Sequence, residues 1–113
     1  MSFLYVALGG ALGACLRYAI SLIPYHGTFP LLTFVTNILG AILIGIVVGM
    51  AKTQNAQLFL KTGVCGGFTT FSTFSLEAYK LLQDGKTPLA LLYAAASVAG
   101  CIAGVWLGMK VKR

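Results

Sequence analysis

The chain has 113 residues, 58% of them hydrophobic and only 9% charged, a balance that belongs to a membrane protein rather than a soluble one. This length leaves room for a single domain over residues 1–113. The net charge of +6 would suit a nucleic-acid partner, but the eight basic residues are scattered, mostly at helix ends and loops. No basic stripe with interleaved aromatics exists, so they read as interfacial anchors and topology signals, and no nucleic-acid partner is expected.

Four apolar segments follow one another, each near the ~20 residues that cross a bilayer. The first runs from Phe3 to Ile23. Within it, Leu12-Gly13-Ala14-Cys15 mimics a lipoprotein cleavage box, but no Lys or Arg precedes it, so the positive start of a signal peptide is missing and the helix is expected to be retained. The second runs from Phe29 to Ala51, after a turn with Pro24, His26 and Gly27. The third, Ala56 to Leu82, is interrupted near Gly66. The fourth runs from Pro88 to Met109, after Asp84-Gly85-Lys86-Thr87, and a basic tail with Lys110, Lys112 and Arg113 follows. The expected fold is an all-α membrane protein of four transmembrane helices, the third broken near its middle.

With four spans, Lys52, Lys61, Lys110, Lys112 and Arg113 share one side of the membrane, against Lys80, Lys86 and Arg17 on the other. The bias favours a cytoplasmic tail but is weak. A chain so balanced can insert in both orientations, and an antiparallel homodimer would then supply the inverted halves that transporters and channels use. Glycines four apart (Gly9 and Gly13, Gly45 and Gly49, Gly100, Gly104 and Gly108) mark helix faces that approach closely, within one subunit or between two. The three cysteines, Cys15, Cys65 and Cys101, all lie in apolar segments without close spacing, which argues against a disulfide framework or zinc site.

The chemistry must come from the few polar groups inside. Asn37, near Thr33 and Thr36, suits a helix-to-helix hydrogen bond or a site donor. Arg17, in the last third of the first helix, suits either snorkelling to the interface or a functional charge. Glu77 follows the interrupted segment, and Ser97 sits on the fourth helix, with Cys101 and Val105 continuing its face. The most informative stretch is Gly66-Gly67-Phe68-Thr69-Thr70-Phe71-Ser72-Thr73-Phe74-Ser75. Irregular backbone at membrane depth survives only inside protein or along a watery path, and a lipid-facing helix has no need of so many hydroxyls. A phenyl ring has a positive edge. Phe71 and Phe74, three residues apart, can therefore line a passage for a small anion without a fixed cation, while hydroxyls and the Asn37 amide replace its water.

This run, ending Ser75-x-Glu77, resembles the signature of the Fluc (CrcB) family of fluoride channels. Gly9-Gly10-x-x-Gly13-x-x-x-Arg17-Tyr18, Thr36-Asn37-x-x-Gly40 and Tyr93-x-x-x-Ser97 agree with it, in order along nearly the whole chain. The resemblance implies an antiparallel, dual-topology homodimer with two fluoride pores in a bacterial inner membrane, and not an enzyme. It assigns the pore rings to Phe71 and Phe74, a fluoride contact to Asn37, and further donors to Ser72 and Thr73. Glu77, Tyr93 and Ser97 would belong to a polar track, and Arg17 to a vestibule. A structural sodium ion at the dimer centre would take the backbone carbonyls of Gly66 and Thr69. The chain departs from the family pattern at Cys101 and Val105, where further hydroxyls are expected.

The competing class is a small four-helix exporter that exchanges cationic drugs for protons. Such exchange wants a buried carboxylate in the early helices, and the only acids are Glu77 and Asp84. A non-conducting assembly subunit would explain the glycines but not the hydroxyl-phenyl run.

Overall fold

The computed structural model describes residues 2–111; the tail charges Lys112 and Arg113, which enter the topology argument above, lie outside the described residues. Helix α1 spans Ser2–Ser21 and α2 spans Leu31–Met50. Helix α3 covers 54–68 in three contiguous pieces: a short start, Gln54–Ala56, a nine-residue π-helical stretch, Gln57–Cys65, and a last turn, Gly66–Phe68. Helix α4 spans Ser72–Gln83 and α5 spans Thr87–Val111. Three helices, α1, α2 and α5, are long and apolar enough to cross a membrane unaided. The remaining crossing is made by α3 and α4 together, as two half-helices.

Helix ends are built locally. Thr53 Oγ1 accepts the Ala56 N–H at 3.1 Å and starts α3. Gly85, the one glycine of positive φ (76°) among the described residues, closes α4. Its N–H donates to the Leu82 carbonyl at 3.2 Å, and the Lys86 N–H donates to the Leu81 carbonyl at 2.8 Å. This paired closure satisfies carbonyls that a helix C-terminus leaves orphaned.

The helices pack as two close pairs, α1 with the π-helical part of α3, and α2 with α5. The glycines explain why. A Cβ on Gly9 would meet the Phe59 carbonyl and the Gly63 backbone, and one on Gly67 would sit 2.5 Å from the Gly10 carbonyl oxygen. In the other pair, a Cβ on Gly45 would come within 3.0 Å of Gly108 Cα. Backbone thus meets backbone in both pairs, the arrangement that lets apolar helices associate without a hydrophobic driving force. The glycine rows are therefore used within the protomer.

The interruption is real but sits three residues later than the glycine pair suggests. Gly66 and Gly67 are helical; the backbone leaves the helix at Thr69 (φ −82°, ψ 158°) and resumes at Ser72. No non-glycine residue needs a positive φ to do this. Gly67 serves close approach to α1, whereas the break is made by hydroxyls. Lys61, counted above on the same side of the membrane as Lys52, lies inside the π-helical stretch, leaving Lys52 as the basic residue of the 51–53 connection.

Candidate functional site

The break is held by side chains from two other helices. Asn37 on α2 bonds Thr70 twice: its Nδ2 donates to the Thr70 carbonyl at 3.0 Å, and its Oδ1 accepts the Thr70 N–H at 2.8 Å. The amide acts as a surrogate peptide partner for a residue with no helical neighbour. Gly40, one turn along α2, leaves space for the Thr69 methyl. Arg17 on α1 donates from Nε to the Gly67 carbonyl at 3.1 Å. A cation at the negative end of a half-helix is favourable on both hydrogen-bond and dipole grounds. Arg17 is thus tied to the break rather than snorkelling away from it.

Local hydroxyls finish the arrangement. Thr69 Oγ1 donates back to the Cys65 carbonyl at 3.0 Å, closing the end of α3. Thr70 Oγ1 accepts the Thr73 N–H at 3.1 Å, opening α4 as an N-cap does, and lies 3.3 Å from Ser72 Oγ. These bonds release two carbonyls. In a continuous helix the Gly66 carbonyl would take the Thr70 N–H, now given to Asn37, and the Thr69 carbonyl would take the Thr73 N–H, now given to the Thr70 hydroxyl. Hard oxygen donors of this kind suit a hard cation, so the residues expected to hold sodium have the right chemistry.

Two cavities flank the break. The larger, about 600 Å³, is lined by Asn37, Thr69, Thr70, Phe71, Phe74 and Ser97, with Gly66 and Lys61 further along. The smaller, about 260 Å³, is lined by Arg17, Thr33, Thr36, Thr70 and Thr73. Thr70 borders both, so the cavities abut at the residue that Asn37 clasps. Phe71 is 78% exposed in the protomer, its ring 5.5 Å from that of Phe74. Phe74 in turn packs 4.9 Å from Tyr93, which is fully buried. Ser97 is buried, and its Oγ has no hydrogen-bond partner, so an unspent hydroxyl borders the larger cavity.

Glu77 is fully engaged. Tyr93 OH donates to its Oε1 at 2.9 Å and Thr33 Oγ1 donates to its Oε2 at 3.1 Å. Such a carboxylate is held in place by donors rather than poised to bind a cation. Tyr93 spends its hydroxyl proton on Glu77.

Sequence reasoning thus named residues that the fold brings together around one break: Asn37, Phe71, Phe74, Ser97, Gly66 and Thr69 at the larger cavity, Arg17 and Thr73 at the smaller. Ser72 sits beside them, and Glu77 with Tyr93 forms a neighbouring cluster. It missed three. Thr70, hidden in a run of hydroxyls, is the clasped residue. Thr33 completes the Glu77 cluster; its place four residues before Asn37, on the same helix face, was the available signal. Lys61, in the lining of the larger cavity, was counted only as a topology charge.

These features define a polytopic membrane protein whose third crossing is split into two half-helices by a break flanked with hydroxyls and phenyl rings. The chain belongs to the CrcB family: the family model described as "CrcB-like protein, Camphor Resistance (CrcB)" matches residues 4–109. A fluoride-specific ion channel FluC of Flavobacterium psychrophilum is 44% identical to it, covering 96% of this chain and 94% of that protein. Fluoride-specific ion channel FluC 2 of Bacillus subtilis is 49% identical over 96% of this chain and 85% of its own length. A FluC of a Methylobacterium species is 42% identical over 100% and 97%.

Proposed function

We propose that this protein is a passive, fluoride-selective channel that works as an antiparallel homodimer with two pores. The observation that carries the reading is the larger cavity, where Phe71 and Phe74 stand beside the unpartnered Ser97 hydroxyl and the Asn37 amide. The relatives named as fluoride-specific channels support it. Dual topology and dimerisation rest on the weak charge bias and on a Phe71 ring largely uncovered in the single protomer.

Fluoride is small and strongly hydrated, so a pore must replace its water without trapping it. Ring edges of Phe71 and Phe74 offer a weak positive field. Ser97 Oγ donates a hydrogen bond, and Asn37 retains one Nδ2–H beyond the one given to Thr70. The Ser72 and Thr73 hydroxyls and the N-terminus of α4 add donors and a favourable dipole. Tyr93, fully buried with its hydroxyl bound to Glu77, backs the Phe74 ring. Arg17, with Nε committed to Gly67, keeps its remaining N–H groups and its charge at the smaller cavity, where they draw anions in. The Gly66 and Thr69 carbonyls would hold a structural sodium ion, which supplies a fixed positive charge at the dimer centre. Hydrogen fluoride enters cells neutral and dissociates inside; the channel lets the anion leave down its gradient.

The drug-exporter reading needs a carboxylate free to trade proton for cation, and both oxygens of Glu77 are occupied by neutral donors. The test is efflux from liposomes holding the purified protein, comparing fluoride with chloride. We expect fluoride efflux without a proton or sodium gradient and far slower chloride efflux. Efflux that stops without a counter-gradient would replace the channel by an exchanger.

A further inference from the structure

Beyond Ser97, the α5 wall of the larger cavity offers an anion almost nothing. Its next lining residues are Val98, Cys101 and Val105, two without a donor and one with a weak thiol. The α2 wall there is Gly40, Ala41 and Ile44. The facing wall, on the π-helical part of α3, carries Lys61 and Thr62. Among the described residues, Lys61 is the only charged side chain lining this cavity, and no acidic side chain among them pairs with it. The two acidic residues are Glu77, bound by Tyr93 and Thr33, and Asp84, in the turn after α4.

We infer that Lys61, with the Thr62 hydroxyl beside it, forms the outer anion-collecting end of the passage, so that an anion leaving Ser97 crosses to the α3 wall instead of continuing along α5. This rests on the channel reading above. Its physics is that of focusing: a lone cation on the wall of a low-dielectric cleft raises the local concentration of a permeant anion. An exposed ammonium on a flexible stem does so without a rigid, multidentate grip. The effect is electrostatic and is therefore screened by salt, with a Debye length of about 30 Å at 0.01 M and about 10 Å at 0.1 M.

The experiment is fluoride efflux from liposomes at low and high ionic strength, set with an impermeant salt, for the wild type, Lys61→Arg, Lys61→Gln and Lys61→Glu. We expect flux at low salt to fall several-fold in Lys61→Gln and further in Lys61→Glu, to persist in Lys61→Arg, and the differences to shrink at high salt. Size-exclusion chromatography separates misfolded variants from slow ones, and Lys61→Arg keeps the test informative if the neutral variant is unstable. Equal flux in all four proteins at low salt, or a salt-independent loss in Lys61→Gln, would overturn the inference and make Lys61 a residue at the membrane boundary. A wild type that carries no fluoride would instead sink the channel reading itself.

Discussion

The Asn37 amide and the Thr70 peptide group exchange two hydrogen bonds, 2.8 and 3.0 Å long, across 33 residues of chain. One side chain on an unbroken helix thereby satisfies both backbone groups of a residue that has left its own. Asn37→Asp keeps the acceptor and loses the donor, leaving the Thr70 carbonyl facing a carboxylate. A buried polar group stripped of its partner costs about 1–3 kcal/mol, and the new charge repels an anion. We expect a folded but less heat-stable protein with fluoride flux near background; wild-type flux would show that the amide only clasps the break and never meets the anion.

Phe71→Ile and Phe74→Ile should both lower fluoride flux strongly while differing in stability. Isoleucine removes the positive ring edge, and an uncompensated charge at an apolar constriction costs several kcal/mol, each 1.4 kcal/mol being about tenfold in rate. Phe71 is largely exposed in the protomer, whereas Phe74 packs against Tyr93, so Phe74→Ile should also reduce the melting temperature more. Normal flux in both variants, with wild-type size-exclusion profiles, would make the rings packing residues.

Tyr93→Phe removes the donor to Glu77 Oε1 and nothing else of comparable size. The carboxylate then keeps only Thr33, and the loss should be about 1–3 kcal/mol of stability. The double variant Tyr93→Phe/Thr33→Val should depart from the sum of the two single changes, because both donors serve one carboxylate. Strict additivity in thermal unfolding would show that the two bonds are independent.

Adjacent glycines on α1 should respond in opposite ways. A Cβ on Gly9 would run into the Phe59 carbonyl and come 2.9 Å from Gly63 Cα, while one on Gly10 would meet nothing within 4 Å. Gly9→Ala forces backbone apart, an overpacking cost of typically about 1–3 kcal/mol; Gly10→Ala should be neutral or slightly stabilising through its better helix propensity. Equal melting temperatures for the two variants in detergent would contradict the α1–α3 packing.

The four crossings and the broken third one were legible because apolar length and a dense run of hydroxyls at membrane depth are one-dimensional signals. The position of the break was not. Gly66 and Gly67 look like helix breakers in sequence, yet both are helical, Gly67 being a glycine because α1 passes too close for any side chain, and the turn that follows Thr69 is secured at the next residue, Thr70, by Asn37 from a distant part of the chain. Arg17 left two readings open for the same reason: only the fold brings its guanidinium to the Gly67 carbonyl. Lys61, inside the third apolar segment, read only as a topology charge because its place on the wall of the larger cavity is visible only in the fold. Phe71, Phe74, Asn37 and Ser97 were readable because a polar or aromatic group inside a span is conspicuous. The pairing of Glu77 with Thr33, 44 residues away, carries no local trace.

Both residues that grip the break, Arg17 and Asn37, come earlier in the chain than the segment they hold. Chains emerge from the ribosome N-terminus first, so α1 and α2 reach the bilayer before residues 66–75 do. The half-helices then meet a template already in place. Their exposed backbone groups find partners on arrival instead of waiting, unpaired, in lipid for a later helix. A swap that moved α1 and α2 behind α5, with the same contacts in the finished fold, would remove that protection and should lower the yield of inserted protein far more than its final stability.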